Sequence, residues 1–277
     1  MANLLTNLGK GVYHRIQKAF YRPYRVFDIG WTKEKILKHQ TGLNLKYHLY
    51  KDKYKIAYRD GPVFLLSINE LFVNEFYKFK TNKDRPKIID CGSYIGTSLL
   101  YFKVNYPNAD VTGFEPDETN YAILKMNVEN WKFADTKVIN AAIWVSNEGI
   151  SFQSEGNMSS RIETNKESNR NRKTVKSVRL KDLLIEEIDF LKIDIEGAEY
   201  AILKDCADNL IFVKNLFVEY HGNYNEMFKL NEILDILLKN KYKYYIKEGM
   251  VVYSNPFWEK DKKGEYDMLL NIFAFRE

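Results

Sequence analysis

The stretch Asp90-Cys91-Gly92-Ser93-Tyr94-Ile95-Gly96-Thr97 follows an apolar run and leads into a helical pattern. Glycines at 92 and 96 let a strand turn sharply into a helix, whose first N–H groups are free to meet a ligand. An acid at the end of the next strand would hold ribose hydroxyls. Glu115, in Gly113-Phe114-Glu115-Pro116, follows Gly92 by 23 residues. That is close to the roughly 20 residues expected in a nucleotide-binding βαβ unit. The alternative is an ordinary turn followed by a surface glutamate. The dinucleotide fingerprint also needs a glycine two residues before Gly92, and position 90 is Asp. A turn with an acid and fewer glycines suits a ligand without a pyrophosphate. S-adenosylmethionine fits better than NAD, because its sulfonium and amino group favour nearby carboxylates.

Two further constellations follow. Leu191-Lys192-Ile193-Asp194-Ile195-Glu196-Gly197-Ala198-Glu199 reads as a buried strand that turns into a helix at Gly197. A charge inside such a strand is expensive unless paired. Lys192, Asp194 and Glu196 share side-chain parity if the strand persists, which points them into one crevice. The alternative for Lys192 is a structural ion pair. Phe217-Val218-Glu219-Tyr220-His221-Gly222 ends a later strand, and ligands of open α/β sheets bind beyond such ends. His221 there is the first candidate for a proton acceptor, Asp194 the second, with Lys192 beside them. A hard divalent ion held by Asp194, Glu196, Glu219 and His221 is a rival reading.

The elements that must position these residues are legible from periodicity. From Lys87 onward, strands alternate with helices: KIIDCG, GTSLLYFKVNY, ADVTGFEP, DETNYAILKMNVENW, KVINAAIWV, FLKIDI with a helix from about Ala198, and LIFVKNLFVEY. Such alternation predicts a mostly parallel sheet with helices on both faces. NEGISFQ and KTVKSVRL read as extra strands around a polar loop, and the C-terminus supplies a β-prone edge. Upstream, an amphipathic helix is expected over 3–20 and another over 32–40, capped by Thr32. A hairpin is expected around Asp60-Gly61-Pro62, then a helix capped by Ser67 or Asn69. The predicted organisation is an extension over 1–85 and a main domain over 86–277.

The chain resembles the FkbM-type methyltransferases over about residues 53–240. Asp90-x-Gly-x-x-x-Gly96, Phe114-Glu115-Pro116, Asn140-Ala141-Ala142 and above all Lys192-Ile-Asp-Ile-Glu-Gly-Ala-Glu199 carry the resemblance, in the same order. It implies a class I, Rossmann-like fold and methyl transfer from S-adenosylmethionine to hydroxyls of sugars or natural products. By position, Asp90, Gly92, Ser93, Tyr94, Gly96 and Thr97 would lie on the methionine side. Glu115 would hold the ribose, and Asn140-Ala141 would lie near the adenine. Tyr94 departs from the family's usual small amide. The implied acceptor is a sugar or glycan hydroxyl, as in a bacterial surface polysaccharide; a small natural product and a non-catalytic binding protein are the alternatives.

Composition narrows the classes. In 277 residues, 45% are hydrophobic and 15% aromatic, enough for a full core. Two cysteines exclude a disulfide scaffold. No apolar run is long enough to span a membrane, and no cleavable leader is evident, so a cytoplasmic location is expected. Net charge is +5, and residues 1–60 carry +9 of it against −4 for the rest. That basic segment suits peripheral contact with an anionic membrane or an acidic glycan, or is simply a solvated face. The acidic remainder fits poorly with nucleic acid.

Overall fold

The structure is a computed structural model that describes residues 22–153, 161–162, 172–259 and 264–277. The helix expected over 3–20 lies outside these residues, as does most of the polar loop expected over 156–173. Two compact units are present, Met1–Phe76 and Tyr77–Glu277.

In the first unit, α1 (Trp31–His39) precedes a hairpin of β1 (Lys46–Tyr50) and β2 (Tyr54–Tyr58), followed by α2 (Gly61–Ile68). The α1 cap is Gly30 rather than Thr32, and the helix begins at Trp31, one residue before the expected start. The hairpin turns at Lys51–Lys53, with Lys51 and Asp52 left-handed, and not at Asp60-Gly61-Pro62. The reason is capping chemistry. The Asp60 side chain accepts the Val63 N–H at 3.0 Å, and Pro62 preorganises the first turn, so this stretch opens a helix. Neither Ser67 nor Asn69 caps it. Gly61 is required: a Cβ there would lie 2.1 Å from the Leu37 carbonyl oxygen. Phe27 stacks on Tyr50 at 4.1 Å, and Phe64 stacks on Tyr58 at 4.5 Å, forming an aromatic core.

The second unit is built on β3 (Lys87–Cys91), α3 (Thr97–Asn105), β4 (Asp110–Phe114), α4 (Glu118–Trp131), β5 (Thr136–Ile139), β6 (Ala142–Trp144), β7 (Ile150–Gln153), β8 (Arg161–Ile162), β9 (Arg172–Val175), β10 (Ser177–Arg179), β11 (Ile188–Ile193), α5 (Glu199–Asp205), β12 (Val213–Gly222), α6 (Met227–Lys239), β13 (Lys243–Met250) and β14 (Met268–Phe275). Seven strands make one sheet in the order β13-β14-β12-β11-β3-β4-β5. The five from β12 to β5 are parallel, and β14 and β13 add an antiparallel edge. This is the mostly parallel α/β sheet that the periodicity predicts, in the class I methyltransferase arrangement that the family resemblance implies.

KVINAAIWV is not one strand. Ala141 turns back on Ile139, and Ala142 donates to the Lys176 carbonyl, so β6 leaves the main sheet to pair with β10. The inserted β7, β8 and β9 form their own small sheet. FLKIDI ends at Ile193, and its helix begins at Glu199 rather than Ala198. Every residue of β11 is buried, as expected of a central strand covered on both faces. The chain runs β3-β4-β5 to one side and returns to β11 on the other. The β3–β11 boundary is therefore the topological switch point, where α/β sheets open a crevice. No helix among the described residues is long and apolar enough to cross a membrane.

Removing the α2 cap provides a check. Asp60→Ala should lower stability by about 1 kcal/mol, seen as a reduced denaturant midpoint with unchanged slope. An unchanged midpoint would mean that the helix starts without its cap.

Candidate active site

The ladder places Lys192 of β11 directly beside Asp90 of β3. The Lys192 Nζ lies 3.3 Å from Asp90 Oδ1 and 3.1 Å from Asp194 Oδ2, and it donates to the Gly92 carbonyl at 2.5 Å. Burial works against the Lys192 charge, yet Asp194 and Asp90 hold the ammonium well above its ordinary pKa. The structural ion pair and the shared crevice are thus one arrangement. Asp90 is fully buried, and its Oδ2 accepts hydroxyl hydrogens from Ser93 and Ser98. It braces the turn from inside.

The glycines of the turn answer to packing. Gly92 has φ 88°, and a Cβ on it would fall 1.9 Å from the Asp194 carbonyl oxygen. Gly96 has φ 90°, and its Cβ would fall 2.7 Å from Leu124 Cδ1. Tyr94 between them is also left-handed, at φ 49°. That conformation suits an amide better than an aromatic side chain, which gives the departure at position 94 a backbone cost. Thr97 is buried at the first position of α3.

Glu115 closes the turn from β4. Its Oε2 accepts the Tyr94 N–H at 2.8 Å and its Oε1 the Asp117 N–H at 3.0 Å. Burial raises its carboxyl to about 8, against the pull of these two donors. Two oxygens with one protein donor each keep lone pairs for ribose hydroxyls. Asn140 turns its amide to the Glu115 and Pro116 carbonyls, at 2.9 and 3.2 Å, and so fixes the β4 end from outside. A cavity of about 710 Å³ opens beside Asn140 and Ala141, with Tyr121, Val138 and Val178 in its wall. A buried acid, an open cavity and a glycine turn at a helix start fit the nucleoside and methionine parts of S-adenosylmethionine.

At the end of β12, the buried His221 sits between two carboxylates. Nδ1 is 3.0 Å from Glu199 Oε1, and Nε2 is 3.3 Å from Glu196 Oε2. Burial disfavours the imidazolium, but Glu199, then Glu196 and Asp194, raise its pKa to about 10. Burial also raises Glu196 above the usual carboxylate range. Glu196 reaches His221 from a left-handed turn at φ 55°, outside the strand, so the expected parity with Lys192 is not what aims it. Of the four candidate metal ligands, Asp194, Glu196 and His221 offer atoms within 4.8 Å of one another. Glu219 is not in that group. Asp194 already faces the Lys192 ammonium, and Glu196 faces the imidazole.

Glu199 carries a role the sequence reading did not give it. Its Oε1 accepts N–H groups from Gly197 at 2.9 Å and Ile195 at 3.4 Å as well as meeting His221. The signal available was an acid at the start of a helix. Tyr266, whose hydroxyl donates to the Glu196 carbonyl at 2.9 Å, had none, since it arrives from 70 residues away.

The family model of the methyltransferase FkbM domain matches residues 90–244. Methyltransferase sdnD of Sordaria araneosa is 27% identical over 186 residues, covering 54% of this chain and 72% of that protein. Methyltransferase 1 of Beauveria bassiana is 25% identical over 175 residues, covering 54% and 70%. A solved structure of a methyltransferase FkbM from Methylobacillus flagellatus is 16% identical with a TM-score of 0.45, over 86% of this chain and 57% of that one.

Two measurements check the site. Glu115→Gln should weaken S-adenosylmethionine binding about tenfold, because an amide NH₂ replaces one of the two oxygens offered to the ribose hydroxyls. Calorimetry with an unchanged affinity in the folded variant would remove Glu115 from the site. Second, the folded-state pKa of His221 is raised, so its stabilisation is full below the unfolded value of 6.5 and is lost as pH rises to about 10. His221→Gln should therefore lose more thermal stability at pH 6 than at pH 10, relative to the unsubstituted protein.

Proposed function

Because the chain belongs to the FkbM methyltransferase family, we propose that it transfers a methyl group from S-adenosylmethionine to a hydroxyl of a sugar or glycan. When bound, S-adenosylmethionine supplies a methyl group on a cationic sulfur, which is already a good electrophile. The tasks left to the chain are alignment and proton removal.

The observation that carries the reading is the Glu199–His221–Glu196 row at the end of β12, one strand away from Asp194 and two from the glycine turn. The acids on both sides of the ring favour its protonated form, so the proton-accepting group of the row is Glu196, whose carboxyl burial raises above the usual range. Glu199 holds Nδ1–H, which leaves Nε2–H directed at Glu196. The imidazolium fixes that carboxylate and steadies its charge. Lys192 ties Asp194 and the Gly92 carbonyl together, holding the two strand ends at a fixed spacing. A hydroxyl hydrogen-bonded to Glu196 would pass its proton to that carboxylate as its oxygen takes the methyl group, the electron pair of the broken methyl–sulfur bond leaving with the sulfur as a neutral thioether.

The test uses labelled methyl donor with separate pools of oligosaccharides, small hydroxylated natural products and RNA. Label should enter the oligosaccharide pool. Glu196→Gln and His221→Gln should each lower kcat by about a hundredfold while cofactor affinity stays within twofold. EDTA should leave the unsubstituted enzyme active. Label entering only the small-molecule pool would move the acceptor class, and a fully active Glu196→Gln enzyme would remove the proposed base. Loss of activity in EDTA, restored by Mn²⁺, would assign Asp194, Glu196 and His221 to a metal instead.

A further inference from the structure

The peptide between Glu196 and Gly197 is gripped from both ends. Its carbonyl accepts the Tyr266 hydroxyl at 2.9 Å, and its N–H donates to Glu199 Oε1 at 2.9 Å. The two residues it joins are both left-handed, Glu196 at φ 55° and Gly197 at φ 100°. A residue such as glutamate rarely adopts this conformation and keeps it where neighbouring contacts over-determine it. The same two grips also reach the imidazole. Glu199 Oε1 is 3.0 Å from His221 Nδ1, and the Tyr266 ring centroid lies 4.8 Å from that of His221. A Cβ on Gly197 would lie 3.1 Å from the Tyr266 hydroxyl oxygen, so the phenol covers the turn closely.

Tyr266 is itself held at the end of β12. The next residue, Asp267, donates its N–H to the Gly222 carbonyl at 2.9 Å. One Asp267 carboxylate oxygen accepts the Tyr224 N–H at 2.9 Å, and the other accepts the Tyr253 hydroxyl at 2.7 Å. Met268 then enters β14 opposite Gly222. The phenol therefore ties the strand that carries His221 to the turn that carries Glu196. Glycine imposes little on its own φ, so without the hydroxyl this peptide keeps one grip of two. Resting on the reading of Glu196 as the proton acceptor, we propose that Tyr266 is a positioning residue. Its hydroxyl fixes the Glu196–Gly197 peptide and so keeps the Glu196 carboxylate 3.3 Å from His221 Nε2. A tyrosine that only packed here could be replaced by phenylalanine without effect; a hydroxyl that aims the carboxylate could not.

Tyr266→Phe keeps the ring and removes that one oxygen. The two imidazole N–H protons of His221, followed by NMR at neutral pH, report on the result. Nδ1–H, held by Glu199, should stay protected from exchange, which also shows that the variant is folded. Nε2–H, which faces Glu196, should exchange about tenfold faster or more. With the acceptor that takes label, kcat should fall about tenfold, while acceptor KM and S-adenosylmethionine affinity stay within about twofold. An unchanged Nε2–H in the variant overturns the proposal, whatever happens to kcat. Loss of both protons also overturns it, because the hydroxyl would then support the whole histidine site and not the turn. Faster Nε2–H exchange with full kcat leaves Tyr266 aiming Glu196 and removes Glu196 as the base. If no pool takes label, the exchange measurement decides the positioning role by itself, since it needs no acceptor.

Discussion

A buried lysine ammonium holds the two central strand ends together. Lys192 sits in the ladder beside Asp90, reaches forward to Asp194 and caps the Gly92 carbonyl. An unpaired charge at this depth would be prohibitive; two carboxylates and a carbonyl make it tolerable and fix its position. The arrangement also explains the glycine opposite it. Gly92 lets the β3 turn press against the Asp194 backbone, which brings the carbonyl within reach of the ammonium. The crevice at the switch point is therefore set by one cation and one missing side chain.

The electrostatics of the next strand end follow a different logic. His221 is surrounded by acids rather than paired with one, so its charge is retained despite burial. Glu199 is at once a helix-start acid, an acceptor for two backbone N–H groups and the anchor of the imidazole. One oxygen thus couples the start of α5 to the position of His221. The left-handed turn at Glu196 and Gly197 is what carries the second carboxylate to the other side of the ring. Strain of this kind is retained where the surrounding contacts over-determine it, and such places are commonly functional.

The antiparallel edge has a positional consequence. By running back along β12, β14 delivers the end of its connector to the same carboxyl edge where the parallel strands finish. Residues far apart in sequence, Tyr266 and Glu196, meet there. An all-parallel sheet would have needed another crossover to achieve this.

The sequence alone determined the alternation of strands and helices from Lys87, the turn at Asp90–Gly96, the acid at Glu115 and the charged run at 192–199. These are local signals: apolar period, glycine placement and charge inside an apolar strand. It misplaced the hairpin near Asp60, because a cap with a following proline and a hairpin turn share the same residue types, and only the helix that follows separates them. It ran β5 and β6 together, since nothing at Asn140-Ala141 signals that the next strand pairs elsewhere. Tertiary structure decided the rest. Which carboxylate faces His221, which faces Lys192 from the neighbouring strand, and which carbonyl the ammonium meets depend on contacts between residues 22 to 102 positions apart. Backbone geometry at the strand ends sets those contacts, and Glu196, aimed by a single left-handed residue, is the plainest case.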